Sequence, residues 1–351
     1  RRPTARSVGT AGSTRLRGDR GTSTGAARLV ARTGLIARAA VGRVRRRLHL
    51  VRLAVKLEAI GCEAIPRSRE LARIVLDEAT NEAAFGESSF TKTRYGIRCK
   101  TLGPATLPGA HGAESHKDQT LCSLLESGLD PKDVDSISRH QAFLNSLLAD
   151  SLARFDLDQD EIEWSAVAFA LALPPTREWK DKLGRATTFD DLALTLLQRL
   201  EHYDQSTCRS IHNLKALTCI YRVSLTTGIL SPEVALKIKT RLSKVAQGLA
   251  DVQRPDGSWG DLWYSVVCGE SHKTDVIDSP RNMNEILING HLVEWMVRLP
   301  DDILCPQLDL RGALSYLLEA LRDSGPLSRG DICPRAHAIM ALLDSYIFTC
   351  Y

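Results

Sequence analysis

The sequence predicts an all-α fold of antiparallel helix pairs, preceded by a basic leader. Three observations predict it. From residue 66 onward the apolar residues recur at helical spacing almost everywhere. Breakers at Leu173-Pro-Pro175, Thr227-Gly228, Arg298-Leu-Pro-Asp301 and Ser324-Gly-Pro326 cut that pattern into segments of helix length. Hydrophobic residues make up 43% of the 351 and aromatics only 5%. That supplies a sizeable core and argues against a sheet-rich fold or an aromatic platform for nucleic acid.

The leader comes first. Residues 1–56 hold 14 Arg and one Lys against one acid, Asp19, which is +14, so a chain of net charge +4 leaves −10 on the other 295 residues. An acidic body, residues 57–351, thus follows a leader that reads as disordered. The leader is rich in Arg, Gly, Ser, Thr and Ala, a composition shared by transit-like peptides and basic arms for nucleic acid. Residues 26–54 would form a basic amphipathic helix suited to an anionic surface. Nothing in the body requires nucleic acid.

Within the body, Pro66 opens a run through Leu71, Ile74, Val75 and Leu76. Residues 94–102 read as a short strand or extended arm, followed by a Gly/Pro-rich loop to residue 112. Helices are expected at 115–127, 136–155, 160–173, 190–201, 208–224, 232–252, 284–298, 309–323 and 334–348. Ser231-Pro232-Glu233 is a helix start, with a capping hydroxyl, proline in the first turn and an acid at the positive end of the dipole. Thr188-Phe-Asp-Asp191 places acids in the same way. The nine cysteines are odd in number and contain no C-x-x-C pair, which reads as free thiols in a reducing, cytoplasmic compartment. No uninterrupted apolar stretch approaches the roughly 18 residues of a membrane helix.

One stretch carries a resemblance. In Gln253-Arg-Pro-Asp256-Gly257-Ser258-Trp259-Gly260 a helix ends at Val252 or Gln253, and Pro-Asp-Gly makes a tight turn with glycine at positive φ. The Trp then folds back over the helix end, and the Gln amide bonds orphan backbone groups there. This resembles the Q-x-x-D-G-S-W signature of the α/α-toroid superfamily, which includes terpenoid cyclases and protein prenyltransferase β-subunits. The resemblance implies an α/α toroid, with the motif as a structural clamp, over about eight residues. The blocks Phe155-Asp-Leu-Asp-Gln-Asp-Glu-Ile-Glu-Trp164 and Gly290-His-Leu-Val-Glu-Trp295 resemble uncharacterised bacterial toroid-like proteins. The superfamily's familiar chemistries do not carry over. Asp156-Leu-Asp158-Gln-Asp160 and Asp190-Asp191 miss the D-x-D-D acid motif, and Asp301-Asp302 misses D-D-x-x-D. Cys268-Gly-Glu-Ser271 lacks the Gln that closes a thioester. The zinc pairs of lanthionine cyclases and prenyltransferases have no counterpart.

Four of the nine histidines, His116, His212, His291 and His337, fall at expected helix starts. In a toroid the inner helices run parallel, so such starts gather at one mouth of a central cavity. Cys208 with His212, and Cys333 with His337, are i, i+4 pairs, each on one helix face; His291 and Glu294 are i, i+3. Cys208, His212, Cys333 and His337 are therefore candidate zinc ligands. The four histidines with Glu163 and Glu294 are candidate catalytic residues, for an open metal or a metal-free acid–base site. Against this, a first-turn histidine often only bonds nearby backbone, and a helical cysteine is most often core. The acidic cluster Asp156, Asp158, Asp160, Glu161 and Glu163 reads as a loop and helix start rather than a calcium loop, because the turn glycine is missing. No phosphate-binding glycine loop or G-x-S-x-G elbow is present.

The expectation is an enzyme-like toroid with a His-lined polar cavity, open to zinc and taking a small molecule or peptide. The resemblance adds lipid, isoprenoid or glycan substrates. The rival is a non-catalytic scaffold tethered by its leader.

Overall fold

The computed structural model describes residues 76, 81–82, 88–101, 114, 116–126, 138–175, 178–201, 207–268, 283–325 and 332–350. The leader, residues 1–56, lies outside the described residues. Two short hairpins and ten helices are described. β1 (Phe90–Lys92) pairs antiparallel with β2 (Ile97–Cys99), Phe90 opposite Cys99. α1 (Gln119–Glu126), α2 (Ser138–Arg154) and α3 (Ile162–Ala172) follow. Next come the hairpin β3 (Trp179–Lys180) and β4 (Ala186–Thr187), then α4 (Phe189–Glu201), α5 (Thr207–Thr227) and α6 (Pro232–Asp251). The last four are α7 (Leu262–Cys268), α8 (Met283–Met296), α9 (Leu310–Asp323) and α10 (Ile332–Cys350). The fold is all-α in character. All nine helices expected from 115 to 348 are present, within a few residues. The seven-residue α7 was hidden in the tail of the Trp motif, and the β3–β4 hairpin was too short to read.

The helices fall into two kinds. α4, α6 and α9 bury a single stripe: in α6 it is Val234, Ile238, Leu242, Val245, Ala246 and Leu249, the i, i+4 repeat of a helix with one face on the core. α3 and α8 are buried nearly all round, because their sequences, IEWSAVAFALA and MNEILINGHLVEWM, have no solvent stripe. The buried helices pack in succession, α1 on α3, α3 on α5, α5 on α8 and α8 on α10. α4 and α6 lie against α5, and α9 lies against α8 and α10. Among the described residues, no helix is long and apolar enough to cross a membrane.

Caps behave as the sequence implied. Ser231 Oγ accepts the Val234 N–H at 3.4 Å, with Pro232 opening α6. The clamp that follows α6 is built as its residues suggested. Gly257 has φ 83°, and a Cβ there would fall on the Gly312 carbonyl carbon, so two constraints demand glycine. The Gly257 N–H donates to the Arg254 carbonyl at 2.8 Å, closing the turn. Gln253 Nε2 donates to the carbonyls of Gly257 (2.8 Å) and Asp309 (3.0 Å), and its Oε1 accepts the Asp309 N–H at 2.8 Å. One amide thus ties the end of α6 to the start of α9. Trp259, fully buried, turns back to donate from Nε1 to the Leu249 carbonyl at 2.9 Å. Asn289 of α8 brackets the Trp259 backbone, accepting its N–H at 2.8 Å and donating to its carbonyl at 3.1 Å.

The acidic stretch between α2 and α3 opens on a structural ion pair. Asp156 meets Lys182 at 2.6 Å and Arg185 at 3.1 Å, and Lys182 holds its carboxyl below the usual range. This pins the β3–β4 hairpin, whose Trp179 sits 5.0–5.8 Å, centroid to centroid, from the rings of Phe155, Phe169 and Phe189. At the far ends of α1 and α8, Glu126 meets Arg298 at 2.6 Å and Lys215 at 3.3 Å, and Arg298 also meets Asp344 of α10 at 3.2 Å. The C-terminal parts of α1, α8 and α10 therefore share one end of the bundle.

Candidate functional site

The histidines come together elsewhere on these helices: before α1, early in α10 and midway along α8. The key approach is between α8 and α10. A Cβ on Gly290 would stand 2.8 Å from Ala338 N and 3.0 Å from the His337 carbonyl carbon, so the backbones meet because Gly290 has no side chain. The next residue, His291, then lies ring on ring with His337, centroids 3.6 Å apart and planes 36° apart. One turn further along α8, Glu294 Oε2 accepts from His337 Nδ1 at 2.9 Å and faces His291 Nδ1 at 3.7 Å.

The row continues outward. His212, in the second turn of α5, lies 5.1 Å from His291 and 4.7 Å from Trp164 of α3, centroid to centroid. His116, in the turn before α1, stacks on Trp164 at 5.6 Å and stands 5.7 Å from His212. Its Nδ1 is 2.6 Å from Glu161 Oε1. An ionised carboxylate only accepts, so an N–H at Nδ1 is the donor that fits this contact. Glu161 reaches this position from φ 56° at the head of α3, where its side chain caps nothing. The other described non-glycine residue at positive φ, Asp118, lies two residues from His116. Backbone held in this region costs on the order of 1–3 kcal/mol, and such strain collects at functional sites.

Burial grades along the row. The His116 side chain is 27% exposed, whereas His212, His291, His337, Glu163 and Glu294 are buried. Burial pulls His212 and His291 well below the ordinary histidine range, and neighbouring positive charges reinforce it. Burial also pulls His337 down, but the Glu294 carboxylate and a hydrogen bond with Cys333 outweigh it and the net shift is upward. Burial pushes Glu163 up to about 7, with the Glu161 charge adding to the rise. Glu163 Oε1 stands 3.9 Å from His212 Nδ1, and neither atom has a hydrogen-bond partner among the described residues. The indole N–H of Trp164, on the same wall, also has none. Lys215, one turn below His212, places its ammonium 5.9 Å from the Trp164 ring centroid.

All four expected histidines therefore share one cluster with Glu163 and Glu294. His291 is not at a helix start: α8 begins at Met283, which puts it in the third turn. Of the expected zinc set, His212, Cys333 and His337 are described. Among the described residues, the His, Cys, Asp and Glu side chains that converge within 4.8 Å as a ligand group are His291, Glu294 and His337. Cys333 stands one turn before His337 and hydrogen-bonds to it. The side chain of Cys208 lies outside the described residues. Sequence reasoning missed Glu161 as the partner of His116, because its left-handed backbone leaves no mark in residue spacing. It also missed Gly290, which read only as part of a block. No protein-family model matches the chain, and no curated protein or solved structure matches it either.

Proposed function

We propose that the protein is an enzyme-like α/α toroid whose histidine–carboxylate row is an acid–base centre for a small-molecule or peptide substrate. The layering of buried helices inside single-striped ones supports the toroid, as does the Gln253–Trp259 clamp. The observation that carries the function is the pair Glu163 and His212. Both are buried, and their facing atoms stand 3.9 Å apart without hydrogen-bond partners among the described residues. Leaving such groups unsatisfied in a folded core costs about 1–3 kcal/mol each, a cost that a bound polar group between them would recover. Glu163 near 7 and a neutral His212 are the pKa separation that lets one group give a proton while the other takes it. The substrate enters past His116, the exposed end of the row. The toroid resemblance supplies the classes to try: lipid, isoprenoid, peptide or glycan. The six described free thiols fit a reducing compartment such as the cytoplasm.

The test is turnover of a panel of p-nitrophenyl esters and glycosides, short peptides and prenyl diphosphates by the full chain, E163Q and H212Q. General acid–base catalysis contributes roughly 10²–10⁴-fold, so turnover falls by that order in both variants while helicity is kept. A panel compound processed equally by wild type and both folded variants refutes the reading.

A further inference from the structure

We propose that His291, Glu294 and His337 form a mononuclear site for a zinc-like divalent metal ion, with a coordination position left open toward His212. The inference goes beyond the acid–base reading and needs neither Glu163 nor His212.

Three donor atoms from two helices converge here. His337 Nδ1 and Glu294 Oε2 are 2.9 Å apart, His291 Nδ1 and Glu294 Oε2 are 3.7 Å apart, and the ligand atoms of all three residues lie within 4.8 Å of one another. Donors bound to zinc at about 2.0–2.2 Å stand roughly 3 Å apart in a tetrahedron, so the spacing needs only a small contraction. The hydrogen bond from His337 explains two of the three residues. It does not explain why a third buried donor, His291, faces the same oxygen from beyond hydrogen-bond length. A cation shared by all three does, occupying the place the proton holds between His337 and Glu294.

The donor types choose the ion. Two imidazoles and a carboxylate suit zinc and its transition-metal neighbours; calcium and magnesium want oxygen-rich shells. The number of donors indicates the kind of site. Structural zinc is closed by four protein ligands, whereas two histidines and a glutamate leave room for water or substrate. His212 is not in the group of ligand atoms that converge within 4.8 Å, and its Nδ1 faces Glu163 at 3.9 Å. Cys333 hydrogen-bonds to His337 but is not among the converging ligand atoms. Rigidity comes from Gly290, whose missing side chain lets the two histidine-bearing backbones touch.

The experiment uses the full chain, stripped with a chelator, titrated with zinc chloride by calorimetry and with cobalt(II) by visible absorption. One zinc per chain is expected, with a four- or five-coordinate cobalt spectrum that lacks a thiolate charge-transfer band. Zinc affinity should fall at least 100-fold in both H291Q and E294Q, and stay within threefold of wild type in C333S and E163Q. Absence of stoichiometric zinc binding by the folded wild type overturns the proposal, whatever the variants do. So does a thiolate band, which would restore the cysteine ligands, or undiminished binding in H291Q. Zinc bound normally by an E163Q variant that has lost turnover supports both readings. Zinc binding without any effect of E163Q on turnover supports the metal site and refutes the acid–base centre.

Discussion

Gly290→Ala is the perturbation that ties the packing of α8 and α10 to the site. A Cβ on Gly290 stands 2.8 Å from Ala338 N, 3.0 Å from the His337 carbonyl carbon and 3.2 Å from Ala338 Cα. All three are backbone atoms, so no rotamer relieves the contact, and non-bonded heavy atoms settle at about 3.5–4.0 Å. The helices must part by roughly 0.5–1 Å, and forcing one methyl into a packed core costs about 1–3 kcal/mol. Against this, alanine gains about 1 kcal/mol over glycine in a helix interior. The net is a loss of about 1 kcal/mol. Gly248→Ala is the matched comparison: its new methyl meets a Val266 methyl carbon at 2.7 Å, a side-chain atom that can swing away. The assay is urea unfolding of the full chain. Gly290→Ala should lower the midpoint at unchanged slope, while Gly248→Ala should leave it nearly still. The parting also spreads His291 from His337, so zinc affinity falls in Gly290→Ala alone. If Gly290→Ala is as stable as wild type and indistinguishable from Gly248→Ala, the close approach does not hold the site.

Three further outcomes follow from the same geometry. Gly257→Ala should be costlier than Gly290→Ala, at about 2–4 kcal/mol, because strain at φ 83° adds to the clash with Gly312; urea unfolding checks it, and a cost below that of Gly290→Ala contradicts the clamp. Glu163 binds its proton more tightly folded, near 7, than unfolded, near 4.5. The folded state therefore loses stability as pH rises from about 4.5 to 7, by roughly 3 kcal/mol when complete; E163Q should flatten that part of the stability–pH curve, and an unchanged curve would show that Glu163 is not held protonated. Arg298→Met leaves Glu126 and Asp344 without their shared guanidinium, although Lys215 still reaches Glu126. It should cost about 3 kcal/mol at pH 7, measured by urea unfolding, and less at acid pH, where the carboxylates take up protons.

Much of the fold was legible because its signals are local. The stripe of α6, the Ser231 cap and the Pro-Asp-Gly turn are each written within a few neighbouring residues. The site was partly legible for the same reason. His212 and His337 sit in the second turns of α5 and α10, where the gathering of helix starts can bring them together. His291 was grouped correctly for a wrong local reason, since it sits mid-helix. The expected Cys/His ligand set followed from i, i+4 spacing, which can show that two side chains share a face but not which neighbouring face they meet.

The sequence by itself determined the helical pattern, the breakers, the clamp and the identities of the groups able to do chemistry, because these depend on residues close in the chain. Tertiary structure alone decided that Gly290 lies against His337 and Ala338, that Glu294 serves two histidines, and that Glu161 bends back to His116. It also decided which ionisable groups are out of water, and so moved Glu163 and His212 to opposite sides of their usual ranges. The contacts of Glu294 with His337, Glu161 with His116 and Gly290 with His337 join residues 43, 45 and 47 positions apart, a separation at which helical periodicity no longer specifies which faces meet.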